Sequence, residues 1–364
     1  METTGLTSIA DPLGGGRTTA ELSISVIVPV RNEGRRIEST LRQLLAQEYD
    51  SGKWEILVVD GESTDDTVEQ VRKITADHPR VRLLHNPKRL SSVARNIGIQ
   101  HARGEVMLLV DGHCELENRL LLKNVSEAFL RSGADCLGRP QPLEISGGTP
   151  LQQAVALARS SRLGHHPESF IYADRECFAP AKSVAIAYRR EVFEKLGYFD
   201  ERFDACEDVE FNHRIDKAGL KCFFTPSIQV RYHPRTNLRG LFKQLVRYGR
   251  GRVRLLRKHP ETFSPGSFLP ALFWSGVLFG WTGGFLWPVL WPAYFGVLGL
   301  YAAAIIAGSL QISFARKRVR LLPLLPVILV TIHLASATGV LLESIQLNFR
   351  KHSHEDRQDH NTSV

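Results

Sequence analysis

The side chains of Asp111 and His113 are suited to binding a cation. Asp111 follows an apolar run at residues 106–110, and one glycine separates it from His113. Residues two apart on an extended chain point to the same side, so both side chains could contact one ion. Mg²⁺ and Mn²⁺ prefer oxygen ligands and bridge phosphate oxygens, and Mn²⁺ accepts an imidazole more readily. The pattern therefore indicates a divalent cation that would neutralise a diphosphate, with a simple turn and a surface histidine as the alternative.

A second acidic cluster follows Cys206 and consists of Glu207, Asp208 and Glu210. The hydrophobic spacing after it predicts a helix that continues through Ile215. Carboxylates are common in a first helical turn because they interact favourably with the helix dipole. A carboxylate within reach of a substrate hydroxyl can also act as a general base. On these grounds alone either role suits the cluster.

Asp60 and Arg95 have side chains that could bind parts of a nucleotide. Asp60 ends an apolar run and could accept hydrogen bonds from a base or a ribose, although a turn-and-cap role together with Ser63 is the ordinary alternative. Arg95 lies in a predicted helix at residues 91–102, and its guanidinium could form a forked contact with a phosphate. A solvated helix arginine is the alternative for Arg95.

Short aliphatic runs alternate with segments of helical spacing through the first half of the chain. They predict strands at residues 24–30, 54–60, 81–84 and 106–111. Apolar strands separated by helices predict a parallel sheet covered on both faces, whose ligands bind at the carboxyl ends of the strands. The polar residues expected to converge at that edge are Arg31, Asn32, Glu33, Asp60 and Asp111.

After Gly133 the alternation of strands and helices loosens. A helix is predicted at residues 151–163 and a strand near residues 183–188. This half of the domain is expected to shape the side of the site that receives a second substrate.

Two uncharged stretches predict membrane-spanning helices. The chain has 364 residues, enough for one sizeable α/β domain and an appendage. No Asp, Glu, Lys or Arg occurs between Glu261 and Arg316, which leaves room for two spans of about 20 residues. A second uncharged run at residues 321–342 could cross a third time, although Pro323 and Pro326 near its start weaken this prediction.

The net charge of +8 arises from residues 231–258, which include ten basic residues and no acidic one. Leu238, Leu241 and Leu245 have helical spacing there, beside a stripe of basic side chains. The pattern predicts an interfacial helix attracted to anionic lipid headgroups, interrupted by Gly249 and Gly251. No aromatic-rich RNA-binding module is present in the sequence, so a nucleic-acid partner is not expected.

The five cysteines form no CxxC pair, so the sequence indicates neither a zinc site nor a disulfide framework. A reducing cytosol fits this cysteine usage. The first residues lack a charged segment followed by an apolar one, so no cleavable signal peptide is expected.

Taken in order, these segments resemble the family 2 glycosyltransferases, inverting enzymes with a GT-A fold that use nucleoside-diphosphate sugars. The resemblance covers roughly residues 23–248. The matching pieces are residues 28–33, 58–67, 94–98, 111–113, 197–201, 207–208 and 244–248. Within the family, the Asp-Gly-His-Cys sequence and the hydrophobic C-terminal segments look most like the succinoglycan-type exopolysaccharide glucosyltransferases.

The resemblance implies an α/β fold, a Rossmann-like GT-A nucleotide-diphospho-sugar transferase domain followed by a transmembrane helical segment. It also implies roles for the residues that bind the donor. The residues implied to line the nucleoside pocket are Pro29, Arg31, Glu33 and Asp60. Arg95 would steady the base or the phosphates, and Asp111 would reach the ribose and the metal, with His113 as the second metal ligand.

The resemblance further implies that Asp208 is the catalytic base, with Glu207 beside it. Gln244, Arg247 and Tyr248 would close the site over the donor diphosphate and the acceptor sugar. Two positions depart from the family pattern. His113 replaces the second metal-binding Asp of the family, which leaves the choice between Mg²⁺ and Mn²⁺ open, and a tyrosine follows Arg247 where the family often has tryptophan.

The implied reaction is transfer of a hexose from a UDP-sugar, with UDP-glucose as the first candidate, to a hydroxyl of a polyprenyl-linked glycan in exopolysaccharide or cell-surface polysaccharide synthesis. One rival interpretation is a polyprenyl-phosphate monosaccharide transferase, in which the lipid phosphate attacks and less base assistance is needed. Another is a non-enzymatic, membrane-tethered nucleotide-binding protein whose acidic residues only cap helices.

The expected organisation is a flexible tail at residues 1–22, a catalytic domain at 23–237, a basic interfacial helix at 238–262, about three transmembrane helices at 263–345 and a polar tail at 346–364. Basic loops stay inside, and residues 316–320 form one after the first two predicted spans. The catalytic domain is therefore expected on the cytoplasmic side of the inner (plasma) membrane, and three spans would place the C-terminus outside. The sequence does not indicate an oligomeric state.

Overall fold

The computed structural model describes residues 21–143, 148–164, 170 and 173–361, with side chains described up to Gln346 except at Ser183. Most of the predicted N-terminal tail, residues 1–20, lies outside the described residues, as do the side chains of nearly all of the predicted C-terminal tail. The fold described below therefore begins at the first strand.

Among the described residues, the N-terminal half is built on an eight-stranded sheet beside a sheet of two strands. The strands of the large sheet, in chain order, are β1 (Ile24–Val30), β2 (Trp54–Asp60), β3 (Val81–His85), β4 (Val106–Leu109), β6 (Cys136–Gly138), β7 (Cys177–Phe178), β8 (Ala185–Arg189) and β9 (Cys222–Phe224). Their order across the sheet is β3-β2-β1-β4-β8-β6-β9-β7. The small sheet pairs β5 (Cys114–Leu116) with β10 (Val230–Tyr232) in antiparallel fashion.

Helices cover both faces of the large sheet. They are α1 (Ile37–Leu45), α2 (Thr67–Asp77), α3 (Ser91–His101), α4 (Leu121–Ser132), α6 (Ala181–Val184), α7 (Arg190–Leu196) and α8 (Glu207–Lys217). The helix α5 (Pro150–Arg159) instead packs in a separate cluster with the C-terminal helices. Alternate residues of β1 enter different cores because side chains alternate across a strand. Val26 and Val28 pack with α1 and α4, whereas Ile27 packs in a second cluster with α3 and α8.

The predicted parallel sheet is confirmed for β3, β2, β1 and β4. It does not extend further, because β8 pairs antiparallel with β4. An antiparallel neighbour needs no crossover helix, which agrees with the loss of regular alternation after Gly133. Three predicted boundaries were wrong: β4 ends at Leu109, α5 ends at Arg159, and β8 begins at Ala185 after the short helix α6.

The C-terminal part is helical and consists of α9 (Leu238–Lys258), α10 (Pro265–Leu286), α11 (Trp291–Ala315) and α12 (Leu325–Asn361). Three segments of these helices are long and apolar enough to cross a membrane: Pro265–Leu286, Pro288–Ala315 and Leu325–Gln346. Pro326 lies in the first turn of α12. Proline is tolerated there because the N–H that it lacks would have no acceptor within the helix.

Helix α9 packs closely along α12 through glycines. A Cβ on Gly249 would lie 2.4 Å from the carbonyl oxygen of Ser336, and a Cβ on Gly339 would lie 2.2 Å from that of Val246. Leu241 of α9 is fully buried in a cluster with residues of α5 and α12. Gly249, which interrupts the helical pattern of the sequence, is therefore a point of backbone contact between two helices.

Candidate active site

The carboxyl ends of β1 and β2 are joined into one wall. The last residues of the two strands, Val30 and Asp60, lie opposite each other. The loop after β1 bonds to the loop after β2, because the Asn32 amide donates to Ser63 Oγ at 2.9 Å and the Glu33 amide donates to Thr67 Oγ1 at 2.8 Å. These bonds hold the backbone of residues 31–33 at the edge of the sheet. The side chain of Arg31 is exposed there, and Pro29, two residues earlier, is partly buried.

The carboxylate of Asp60 caps its own turn. It accepts hydrogen bonds from the Ser63 hydroxyl at 2.5 Å and from the Ser63 amide at 3.1 Å, and Asp60 is only 5% exposed. The turn-and-cap interpretation is therefore correct for this residue. Contact with a nucleoside would use the lone pairs that these two bonds leave available.

Asp111 and His113 lie together with Glu33 at the end of β4. His113 Nδ1 is 3.0 Å from Glu33 Oε1, an ionic contact without good hydrogen-bond alignment. A Cβ on Gly112 would lie 2.7 Å from the Val30 side chain, so only glycine lets this loop approach β1 so closely.

The donor atoms of Asp111 and His113 suit a cation when the imidazole is unprotonated. Burial raises the pKa of Asp111, but the neighbouring His113 and Arg95 outweigh it and hold that pKa below its ordinary value. Burial lowers the pKa of His113, whereas Glu33 and Asp111 more than compensate and raise it. Ionised carboxylates and an imidazole nitrogen form a donor set that Mg²⁺ or Mn²⁺ can use, so the residues present fit a divalent ion.

Two further residues of this site, Arg139 and Tyr232, do not stand out in the sequence. Arg139 is completely buried, with Nη2 3.4 Å from the Leu109 carbonyl and 3.5 Å from the Tyr232 hydroxyl. Its Nε and Nη1 atoms have no hydrogen-bond partner among the described residues. Arg139 and Tyr232 both help to lower the pKa of Asp111. The buried guanidinium of Arg139 therefore favours the ionised form of the Asp111 carboxylate.

Arg95 joins the two acidic clusters. Its Nη1 lies 3.0 Å from Glu207 Oε1, and the two side chains are only 12% and 7% exposed. Burial alone would lower the pKa of Arg95, but the fields of Glu207, Asp208 and Asp111 raise it. The structure thus brings three carboxylates from distant parts of the chain around one guanidinium. Among the residues that the structure describes, Arg95 Nε and Nη1 have no aligned hydrogen-bond acceptor.

Glu207 and Asp208 occupy different environments at the start of α8. Burial raises the pKa of Glu207, Arg95 opposes that effect, and the adjacent Asp208 adds to it. Glu207 is thus held in an ion pair, whereas Asp208 is only partly buried and its Oδ1 accepts the Val209 amide at 2.9 Å. Of the two carboxylates, Asp208 is the one that can meet a substrate hydroxyl.

The start of α8 is held in place by a strained residue and by α9. Cys206, which precedes the helix, has a φ of 62°, a left-handed conformation that is uncommon outside glycine. A Cβ on Gly251 of α9 would lie 2.7 Å from the Ala205 carbonyl oxygen, so glycine is needed there. The conformation of Cys206 is therefore fixed by close packing against α9, as expected for strain kept at a functional site.

The segment before α8 is bound to α3. The Asn96 side chain bonds to both backbone polar groups of Phe199, at 2.9 and 3.0 Å, and Ser92 Oγ donates to the Phe203 carbonyl at 3.0 Å. The guanidinium of Arg95 lies 5.5 Å from the Phe199 ring centroid. These contacts explain how two sequence segments that resemble the family, residues 94–98 and 197–201, cooperate in positioning Arg95.

Gln244, Arg247 and Tyr248 lie on one segment of α9. Gln244 Nε2 donates to the Tyr248 hydroxyl at 3.0 Å, and Arg247 donates to the backbone carbonyl of Asp204. Burial raises the pKa of Tyr248, and Asp208 adds to that effect, so the hydroxyl of Tyr248 lies within the electrostatic reach of Asp208. The structure therefore brings this segment to the site.

Much of the basic stripe of α9 binds carboxylates of the protein. Arg250 Nε and Arg254 Nε each lie 2.7 Å from Glu343 of α12, and Arg254 also pairs with Asp204 at 2.5 Å. Lys258 contacts Asp200 at 2.6 Å. The prediction that this stripe faces lipid was wrong for Arg250 and Arg254, because the folding of α12 beside α9 supplies their shared partner Glu343.

We expect Arg95→Met to lower the free energy of unfolding by about 3–5 kcal/mol, because it leaves Glu207 buried without its cation. The double variant Arg95→Met/Glu207→Gln should recover part of the loss. Thermal unfolding of the detergent-solubilised chain measures both changes, with the exposed Arg72→Met as the matched control. Equal destabilisation in the single and double variants would contradict this account of the pair.

Comparisons with known proteins agree with this geometry. The sequence model described as Glycosyl transferase family 2 matches residues 25–197, and the model described as Glycosyl transferase family group 2 matches residues 168–307. The succinoglycan biosynthesis protein ExoA of Rhizobium meliloti (strain 1021) is 30% identical over 328 residues, which cover 90% of this chain and 96% of that protein.

Two more distant proteins also align with this chain over most of its length. A dolichyl N-acetyl-alpha-D-glucosaminyl phosphate 3-beta-D-2,3-diacetamido-2,3-dideoxy-beta-D-glucuronosyltransferase of Methanococcus voltae is 26% identical over 87% of this chain and 95% of its own length. Among solved structures, the mannosyltransferase PcManGT from Pyrobaculum calidifontis, in complex with GDP-Man and Mn²⁺, superimposes with a TM-score of 0.55 at 23% identity, covering 89% of this chain and 88% of that one. The solved structure supports the same overall fold.

Proposed function

Because the chain belongs to glycosyltransferase family 2, we propose that it transfers a hexose from a UDP-sugar, with UDP-glucose as the first candidate, to a hydroxyl of a lipid-linked glycan. It is an enzyme of polysaccharide or lipid-linked glycan synthesis with a GT-A-like fold. The observation that carries the finer proposal is the convergence of Asp111, Glu207 and Asp208 on Arg95 at the carboxyl edge of the sheet.

The donor is proposed to lie across the ends of β1, β2 and β4. Pro29, Arg31, Glu33 and Asp60 would surround the nucleoside, since the bonded loops after β1 and β2 form a wall at this edge. The guanidinium of Arg95 would contact a phosphate, because two of its buried nitrogens have no aligned acceptor in the described part of the chain.

Asp208 is proposed to remove the proton from the acceptor hydroxyl as its oxygen attacks the anomeric carbon opposite the departing UDP. A single displacement inverts the configuration, so an α-linked donor gives a β-linked product. Arg95 would hold Glu207 in place through their ion pair, and Gln244, Arg247 and Tyr248 would close over the diphosphate and the acceptor sugar. A Mg²⁺ or Mn²⁺ ion held by Asp111 and His113 would offset the charge of the departing diphosphate as a Lewis acid.

We expect the affinity of the chain for Mn²⁺ to fall as the pH is lowered through the raised pKa of His113. A protonated imidazole cannot coordinate a metal. At pH values well below that raised pKa, each further pH unit should therefore weaken Mn²⁺ binding by about tenfold. The variant His113→Asp should bind Mn²⁺ with little change between about pH 6 and 8, because aspartate titrates near pH 4. Isothermal titration calorimetry checks both profiles, and identical profiles would exclude His113 as a ligand.

The lipid-linked acceptor is proposed from the helices that follow the catalytic domain. Only 11% of the most apolar stretch of α10, and 6% of that in the segment 288–315, is buried inside the protein. In α12 the buried share of the corresponding stretch is 44%. Exposed side chains of the first two helices include Leu278, Phe285 and Phe295. We propose that α10 and α11 cross the inner membrane as a hairpin and hold the catalytic domain at its cytoplasmic surface, where polyprenyl-linked glycans would be available.

Helix α12 is proposed to lie in the membrane interface at the base of this hairpin. Its partner α9 carries Arg250 and Arg254, whose burial in hydrocarbon would be costly, and both bind Glu343 of α12. Helix α10 packs against α12 at Ala337 and Val340. Helix α11 contacts α12 through a hydrogen bond of 3.0 Å between Tyr301 and His333. Contacts spread along α12 in this way fit a helix that lies across the hairpin rather than beside it.

We expect the C-terminus to lie on the cytoplasmic side, because two crossings return the chain to the side of the catalytic domain. Green fluorescent protein fused after Val364 should fluoresce, and alkaline phosphatase fused there should be inactive. Fusions at Val289, between α10 and α11, serve as the control and should behave in the opposite way. Active phosphatase after Val364 would instead establish a third crossing by α12.

The test of the donor is a transfer assay with the full-length chain in detergent and a panel of UDP- and GDP-linked hexoses. With lipid-linked glycan present and Mn²⁺ added, we expect label from a UDP-hexose to enter the lipid fraction. Transfer from a GDP-hexose alone would contradict the proposed donor class.

A further inference from the structure

Three side chains that the proposed reaction does not use meet where the catalytic domain joins the membrane-type helices. His213 lies on α8, His259 directly follows α9, and Glu261 lies in the 3-10 helix that precedes α10. One ligand atom from each lies within 4.8 Å of the others. The two histidine side chains are only 13% and 11% exposed, whereas Glu261 is 44% exposed and open to solvent. The ligand atoms of the three side chains thus lie close together, and solvent can reach them through Glu261.

The distances suit a tetrahedral ion. His213 Nε2 lies 3.1 Å and His259 Nδ1 lies 3.8 Å from Glu261 Oε1. With metal–ligand bonds of about 2.0–2.1 Å, ligand atoms at a tetrahedral centre are about 3.3 Å apart, so these two spacings require shifts of about half an ångström or less. The two imidazole nitrogens lie within 4.8 Å of each other and would have to move closer together on binding. Two imidazoles and one carboxylate, with a fourth position open to water, match Zn²⁺ better than Mg²⁺, which prefers oxygen ligands.

A buried carboxylate orients one of the two imidazoles. His259 Nε2 lies 3.0 Å from Glu210 Oε1, and Glu210 is fully buried. Lys258 Nζ and Arg214 Nε also contact this carboxylate, at 2.7 and 3.1 Å, and hold it in place. An imidazole that donates its Nε2 hydrogen to a carboxylate turns the lone pair of Nδ1 outward, which is the usual arrangement behind a metal-bound histidine. Here Nδ1 is the atom that faces Glu261.

We propose that His213, His259 and Glu261 form a structural Zn²⁺ site, separate from the site at Asp111. The ion would connect α8, which carries Asp208 at its first turn, to the segment that enters the first membrane-type helix. It would therefore fix the position of the catalytic base relative to the membrane hairpin without contact with either substrate.

Lys217 competes for the same carboxylate. Its Nζ lies 3.0 Å from Glu261 Oε1, but its side chain is 65% exposed and free to turn into solvent when the ion binds. The ion must displace this contact, which weakens its affinity. Lys217→Met is therefore expected to strengthen Zn²⁺ binding by about tenfold, since the ion no longer has to displace an exposed ion pair and the repulsion between the lysine and the cation is removed.

The experiment uses the full-length chain in detergent, stripped with a chelator and titrated with ZnCl₂. We expect one high-affinity Zn²⁺ per chain, a rise in the unfolding temperature, and a tetrahedral visible spectrum when CoCl₂ replaces ZnCl₂. His213→Gln/Glu261→Gln should lose all three signals. The control Glu69→Gln/His78→Gln makes the same changes at two exposed residues, one on α2 and one directly after it, and should bind like the unaltered chain.

Three results would overturn the site: equal Zn²⁺ binding by the His213→Gln/Glu261→Gln variant, unchanged affinity in Lys217→Met, or loss of the signal in Asp111→Asn. The last result would assign the ion to the candidate catalytic site instead. Because Lys217→Met keeps every proposed ligand, it tests the site even if the double variant does not fold.

Discussion

Asp208→Asn is expected to lower the rate of glycosyl transfer by about 10²–10⁴-fold while the affinity for the donor changes little. The range is what a positioned general base contributes. Asparagine keeps the shape of the side chain and can still accept the Val209 amide hydrogen, so the fold should survive. Radiolabel transfer gives the rate, and calorimetric titration with UDP gives donor affinity. The control is Glu194→Gln, which removes an exposed acid from α7.

The same variant distinguishes the two enzymatic interpretations. A lipid phosphate is already ionised and needs no base, so a polyprenyl-phosphate monosaccharide transferase would keep nearly all of its activity in Asp208→Asn. An acceptor hydroxyl must lose its proton during attack. Near-normal transfer would therefore reject hydroxyl activation by Asp208 and favour a phosphate acceptor.

Asp111→Asn is expected to reduce transfer by about 10²–10³-fold and to weaken Mn²⁺ binding in parallel. Metal charge stabilisation is worth several kcal/mol, and each 1.36 kcal/mol corresponds to a tenfold change in rate. The amide also removes the negative charge that faces Arg95 and Arg139. Asp77→Asn, on the exposed end of α2, is the matched control.

The outcome for Asp111 also bears on the non-enzymatic alternative. A membrane-tethered nucleotide-binding protein would show no transfer in the unaltered chain, and Asp111→Asn would change only its affinity. If Asp111→Asn abolished Mn²⁺ binding but left transfer unchanged, the cation would have no part in the reaction. Coupled losses of binding and rate would connect the ion to the chemistry.

Several elements could be predicted from the sequence because their causes are local. The strands β1 and β2 begin and end at the predicted residues, since continuous apolar runs bounded by turn residues permit few other structures. The uncharged segments after Glu261 form long apolar helices, because composition alone decides whether a helix can enter a membrane. Asp111 and His113 come together for an equally local reason, which is a turn rather than the predicted extended spacing: the Cys114 amide donates to the Asp111 carbonyl at 3.2 Å.

Other features depended on contacts between residues distant in the chain. The sequence offers no signal that Arg139 is buried beside Asp111, because a buried arginine is recognised only by its surroundings. The basic stripe of α9 shows the same limitation. Its pattern is typical of lipid contact, yet Arg250 and Arg254 bind Glu343, which comes beside them only when α12 folds against α9.

The sequence by itself determined the strand-and-helix alternation, the apolar helices and the types of residue available for catalysis, because hydrophobic periodicity and side-chain chemistry are properties of the chain. Tertiary structure decided which carboxylate is engaged with Arg95, which glycines are sites of helix contact and which histidines meet Glu261. Electrostatic pairing and close packing act over a few ångströms of space, and separation along the chain does not reveal those distances.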